Sequence, residues 1–317
     1  MRSQTAVVPW ALVLAGVALA ACRSERPAAA GPLTTGAVKT DTSRPQVPRR
    51  VREVTGLSHP EAVRYDPELD LWFVANINGD PVAKDNNGFI TRLKSDGSIG
   101  VLKFVEGGRN GVRLNAPKGM AIVGDTLWVA DIDAVRGFNR RTGAQLATVS
   151  LSRQAKFLND IAVGPDGIYI TDTGLGPDGK HAGPDRIFRI DASHKVTVAL
   201  ESDSLQGPNG ITWDSAGRRF VIVPFFGSTA RAWAPGEAAP RVVGSGPGQE
   251  DGVEAIGPGR FLITSWADSS LFTLEQGRAT RVTGSLPSPA DIGWDPGRHR
   301  VAVPLLLQDR VEIWELP

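Results

Sequence analysis

Along residues 51–317 the apolar positions come in short runs, alternating or fully apolar, each closed by Gly, Asp, Pro or Asn. Period-two alternation predicts strands, and the punctuation predicts tight turns between them. Six stretches share one plan: "HPEAVRYDPELDLWFVAN", "APKGMAIVGDTLWVAD", "FLNDIAVGPDGIYITD", "GPNGITWDSAGRRFVIV", "QEDGVEAIGPGRFLITS" and "SPADIGWDPGRHRVAV". Each has a polar or small residue, a short apolar strand, a turn and a second strand, which together make a hairpin signature. A third and often a fourth strand follow, as "RIFRIDASH" and "KVTVALES" do after "IYITD".

Four strands every ~40–57 residues, six times over, predict an all-β chain folded as a six-bladed β-propeller of four-stranded blades. The chain ends after "DRVEIWELP", one strand short in the last blade. "RRVREVTGLSHP" resembles "ATRVTGSLPSP", an outer strand leading into the next blade. The segment at the start of the body is therefore expected to complete the last blade, closing the ring and removing its open edge.

Composition narrows the function classes. Lys+Arg 35 against Asp+Glu 34 gives a net charge of +1, with no basic stripe to hold nucleic acid. The single cysteine excludes an internal disulfide. It ends the apolar stretch Ala6–Ala21, which follows Arg2 and has the form of a signal segment. "LAAC" at Leu19–Cys22 resembles the bacterial lipobox. The expected order is therefore a lipoprotein signal peptide over 1–21, a disordered tether over 22–50 from acylated Cys22, and the propeller over 51–317. The tether is rich in Ala, Pro, Thr and Gly, too poor in large apolar residues to bury a core. This order implies export and lipid anchoring at the bacterial cell envelope.

Aligning the six starts puts Glu61, Lys118, Asn159, Asn209, Asp251 and Ala290 in one register. Innermost strands of a propeller line its channel, so these side chains are expected to converge at one end. Two carboxylates and two amides make an oxygen cage suited to Ca²⁺ or another hard divalent cation, while the absence of Cys and His in register disfavours zinc and copper. Lys118 opposes this reading. Its ammonium could pair with Glu61 and Asp251 in place of a metal, or hold an anionic substrate.

With these residues in view, the body resembles the six-bladed SMP-30/gluconolactonase/luciferin-regenerating-enzyme family and its paraoxonase and diisopropylfluorophosphatase relatives. That resemblance implies a central metal held by Glu61 in "HPEAV", Asn159 in "LND", Asn209 in "PNG" and Asp251 in "EDG". It implies metal-assisted hydrolysis of a small-molecule lactone, ester or phosphotriester, with Asp251 as a ligand and as general base or nucleophile. The paired histidines of a paraoxonase-type site are absent.

Loops joining second to third strands open on the face of the ring, and the long "TGLGPDGKHAGPD" loop places His181 there as a further catalytic candidate. Trp266 ends a second strand near the expected mouth and is a candidate substrate contact. Asp160 and Asp291 follow the register position in blades three and six, as supports for the ring or as turn acceptors. One alternative stays open: "LWVADIDAVRGFNRRTG" resembles NHL-type repeats, consistent with a non-catalytic propeller that binds a ligand or protein at the cell envelope, with a structural ion or Lys118 filling the centre.

Overall fold

The computed structural model describes residues 46–176 and 178–317. The expectations for the signal segment, Cys22 and most of the tether fall outside the described residues. No helix among those described is long and apolar enough to cross a membrane.

Six four-stranded antiparallel sheets follow one another around a ring. Their inner strands are Pro60–Asp66, Pro117–Val123, Leu158–Gly164, Pro208–Asp214, Glu250–Gly257 and Gly293–Asp295. Blades one to five are each built from four consecutive strands. Blade six takes three strands from the end of the chain and its outermost strand, Arg49–Val54, from the start of the body. That strand pairs antiparallel with Arg310–Glu315, beginning with Arg49 opposite Glu315. The closure read from the sequence is thus the one the chain adopts.

The hydrophobic core is divided among the blade interfaces. Phe73, Ala75, Met120, Val129 and Phe138 pack blade one against blade two. Val54, Leu57, Trp72, Ala302 and Val311 do the same between blades six and one. Comparable clusters lie between the remaining neighbours. Burying a large side chain contributes roughly 1.5–3 kcal/mol, so each blade is held chiefly by the two it touches.

Threonines add polar ties across these interfaces. Thr171 Oγ1 accepts from the Asp160 amide at 2.9 Å and donates to the Asn209 carbonyl of blade four at 2.6 Å. Thr264 repeats the device, accepting from Gly252 N at 2.8 Å and donating to Ala290 O of blade six at 3.0 Å.

A buried ring of oxygens at the channel mouth

The inner strands of blades one to five share an irregularity near their start. Their pairing registers skip between Pro60 and Ala62, Pro117 and Met120, Leu158 and Ile161, Pro208 and Ile211, and Glu250 and Val253. Each skip is a β-bulge, which turns a side chain out of the alternation. The register residues Glu61, Lys118, Asn159, Asn209 and Asp251 sit in these bulges, and all five are buried.

Close backbone approach between blades fixes the bulges. A Cβ on Gly119 would lie 2.3 Å from Asp160 Oδ1, and one on Gly210 would lie 2.3 Å from the Asp251 carbonyl. Only glycine admits the neighbouring strand at that distance.

The four expected metal ligands share a further property. Glu61 Oε2, Asn159 Oδ1, Asn209 Oδ1 and Asp251 Oδ1 are all buried without a hydrogen-bond partner. Their other polar atoms are engaged where the contacts are defined. Asn159 Nδ2 donates to Thr173 Oγ1 at 3.1 Å, and Trp266 Nε1 donates to Asp251 Oδ2 at 3.0 Å. A buried acceptor without a donor costs about 1–3 kcal/mol, and four of them at one register form a cluster that a positively charged group could satisfy.

Electrostatics points the same way. Burial pushes the Asp251 carboxyl up to about 8, against the Trp266 hydrogen bond that lowers it. Glu61 is raised well above its ordinary range, first by burial and then by Asp251, with Lys118 pulling it down. The centre is short of positive charge, and a hard cation would satisfy both its carboxylates and its amide oxygens. Among the described residues no three His, Cys, Asp or Glu side chains converge for metal binding. An ion here would depend on the two amides as well as the two carboxylates.

Lys118 is buried, and its ammonium is already engaged. Nζ donates to Ala116 O at 3.0 Å and to Pro81 O at 3.2 Å, and it lies 4.2 Å from the centre of the Phe157 ring. Burial lowers it to about 8, while Glu61 pulls it upward. Among the described residues no ion pair joins it to Glu61 or Asp251 within 4.0 Å.

Asp160 and Asp291 are also buried, and they behave differently from each other. Asp160 Oδ1 accepts from Ile161 N at 2.6 Å and Oδ2 from Ile211 N at 2.8 Å, fastening blade three to blade four. Neither Asp291 oxygen has a hydrogen-bond partner. Arg64 ion-pairs with Glu254 and lies 4.0 Å from Asp291. This guanidinium, three residues beyond Glu61 on the same strand, was not singled out from the sequence. Its partners come from other blades, with Met120 O of blade two accepting from Nε at 2.7 Å and Glu254 and Asp291 supplied by blades five and six.

The sixth register position departs from the other five. The blade-six inner strand begins only at Gly293. The stretch before it is drawn onto neighbouring backbone, with Asp291 N bonded to Glu61 O, Val63 N to Asp291 O and Ala290 N to Pro304 O.

His181 and Trp266 stand at the mouth, joined by two residues that sequence reasoning missed. His181 stacks on Phe226 at 4.8 Å, Phe226 meets Phe225 at 5.5 Å, and Phe225 meets Trp266 at 5.6 Å. The available signal was "PFFG", two aromatics directly after a strand in a loop facing the ring. His181 Nε2 is 2.6 Å from Asp185 Oδ1.

Clefts also lie away from the ring. One of about 980 Å³ runs between the outer strands of blades one and two, lined by Phe104, Arg109 and Gln145. Another of about 490 Å³ is lined by Arg64, Thr212 and Trp213. Neither contains a ring residue.

Comparison with known proteins supplies an independent finding. The family model described as the SMP-30/Gluconolactonase/LRE-like region matches residues 60–231. No curated protein matches the sequence. Among solved structures, the fold is similar to a provisionally assigned gluconolactonase, 14% identical with a TM-score of 0.63, covering 86% of this chain and 93% of that one. It is similar to a gluconolactonase from Xanthomonas campestris, 17% identical with a TM-score of 0.60, covering 84% and 91%. It is also similar to virginiamycin B lyase from Staphylococcus aureus, 14% identical with a TM-score of 0.57, covering 84% and 99%. At these identities the structural likeness speaks for the fold alone.

Proposed function

This chain belongs to the SMP-30/gluconolactonase/LRE-like family, and from that premise we propose that it is a divalent-cation-dependent hydrolase of the lactonase type. The observation that carries the proposal is the ring of orphaned oxygens on Glu61, Asn159, Asn209 and Asp251. These four residues would hold Ca²⁺ or a similar hard cation. When bound, the ion supplies Lewis acidity, polarising the carbonyl of a lactone or ester and stabilising the charge that develops on its oxygen.

The protein's own part begins with Asp251. Its Oδ2 is fixed by the Trp266 indole, which leaves Oδ1 to face the ion with one lone pair and to accept a proton with the other. Oδ1 takes a proton from a water molecule, whose oxygen bonds to the acyl carbon. The acyl–oxygen bond then breaks, and the departing alkoxide recovers the proton from Asp251. His181, oriented by Asp185, is the second proton-transfer group at the rim. Lys118 tempers the negative charge of Glu61 from its buried position. A substrate anion would reach its ammonium only if the Pro81 and Ala116 carbonyls released it. Export and anchoring through acylated Cys22 complete the proposal, and Cys22→Ser releasing the protein from the membrane fraction would support them.

The test is a panel of glucono-lactone, alkyl-substituted γ- and δ-lactones and aryl esters, run with chelator-stripped protein and again after Ca²⁺ is restored. The expected result is turnover that returns with Ca²⁺ and falls at least about 100-fold in Asp251→Asn. Turnover indifferent to both chelator and variant would overturn the mechanism. An ion-loaded protein inactive on the whole panel would favour the binding-propeller alternative.

A further inference from the structure

The rim of the channel is chemically lopsided. On one side, loops of blades three, four and five bring His181, Phe226, Phe225 and Trp266 into one continuous arc. Phe226 is 41% exposed, so the arc presents an aromatic edge to solvent where it leaves the ring. On the other side, the blade-one loop presents Asp80, Lys84 and Asp85, with Lys84 paired to Asp133 of blade two at 2.6 Å.

The arc is held in place at both ends. Trp266 is tied to Asp251 through its indole N–H at 3.0 Å, so one end of the arc touches the ring itself. At the other end, Asp185 holds His181 through Oδ1 and accepts from Gly207 N at 2.8 Å through Oδ2. Gly207 also makes room for Phe226, because a Cβ there would lie 2.4 Å from the Phe226 ring. Gly207 leads directly into Pro208 and Asn209, so the phenylalanine rests on the segment that carries a ring oxygen.

We propose that this arc is the subsite for the non-reacting part of the substrate, and that this part is an alkyl or aryl group. The substrate class is then an alkyl- or aryl-substituted lactone or ester, not a polyhydroxylated sugar lactone. The inference rests on the hydrolase reading above. Ring faces and edges offer hydroxyl groups almost no hydrogen-bond partners, so a polyol seated there would lose water without replacement. A flat apolar group would gain edge-to-face and stacked contacts and release water from the exposed Phe226.

The experiment compares an alkyl-substituted γ-lactone with glucono-lactone in wild type, Phe226→Ala, Phe225→Ala and Phe226→Leu. Wild type is expected to favour the alkyl lactone in kcat/KM. That preference should fall about 10- to 100-fold in the alanine variants, mainly through KM, and be largely kept in Phe226→Leu. A wild-type preference for glucono-lactone, or an alanine effect equal on both substrates, would overturn the subsite. Should neither substrate turn over, tryptophan fluorescence quenching by a phenyl-substituted γ-lactam separates the two ideas. Saturable binding that weakens at least about tenfold in Phe226→Ala upholds the subsite while the hydrolase reading fails; no saturable binding overturns the subsite as well.

Discussion

Replacing Lys118 with methionine isolates the one ring residue that opposes a cation. The side chain keeps its length, and its thioether can rest on the Phe157 ring that the ammonium now faces. The Ala116 and Pro81 carbonyls lose a donor, a cost of about 1–3 kcal/mol that a ring of six interlocked blades can absorb. The benefit to an ion has a ceiling set by the ammonium itself. Lys118 titrates at about 8, so at pH 7 an arriving cation can drive its proton off for roughly 1.4 kcal/mol. The repulsion therefore weakens cation binding by no more than about tenfold at pH 7, and by almost nothing at pH 9. Calorimetric titration of CaCl₂ into stripped wild type and Lys118→Met at the two pH values reads this directly. The expected gain for the variant is up to about tenfold at pH 7 and under about twofold at pH 9. Loss of binding in Lys118→Met, or an equal gain at both pH values, would refute the reasoning. In both proteins affinity should rise with pH up to about 8, because Asp251 and Glu61, both raised, must shed protons to bind the ion.

Three further outcomes follow from the packing around the ring. Thr171→Val keeps the side chain's shape but leaves Asp160 N and Asn209 O without the hydroxyl between blades three and four. It should destabilise the fold by about 1–3 kcal/mol, seen as a Tm drop of roughly 2–10 °C by calorimetry. Gly119→Ala drives a Cβ to 2.4 Å from Asp160 Cα, which is backbone and cannot step aside. A loss of about 3 kcal/mol or more in denaturant titration is expected, with weaker cation binding as Asn159 shifts. Asp70 is held at about 2, below its ordinary 3.8, by hydrogen bonds from Arg298 and then Tyr65. A lowered carboxyl stabilises the fold above about pH 4 and loses that contribution as pH falls toward 2. Because Asp70 is half-exposed, Asp70→Asn should lower Tm by only about 2–4 °C at pH 7, a deficit that closes toward pH 2.

The blades were legible because each begins with the same local text, a polar or small residue followed by a period-two run and a turn. The bulge that aims the ring inward was legible only indirectly, as a recurrent polar residue followed by glycine or aspartate in blades two to five and by Ala62 in blade one. Blade six shows where such reasoning stops. Ala290 aligns with the ring by sequence, but its amide bonds Pro304 of its own blade, the next residue, Asp291, bonds blade one, and the strand starts later. The environment of Lys118 was invisible for a related reason, since Pro81 and Phe157 come from other blades. The aromatic arc was illegible as a unit. "PFFG" occurs once, and its meaning depends on His181 and Trp266 arriving from loops on either side.

The most direct test of the central claim is the cation stoichiometry of the purified propeller. Equilibrium dialysis of stripped protein against radiolabelled Ca²⁺ is predicted to give one ion per chain in wild type. The Glu61→Gln/Asp251→Asn double variant, with its fold verified by circular dichroism, should bind none. Wild type that binds no ion, or a double variant that still binds one, would contradict the reading of Glu61, Asn159, Asn209 and Asp251 as a cation site.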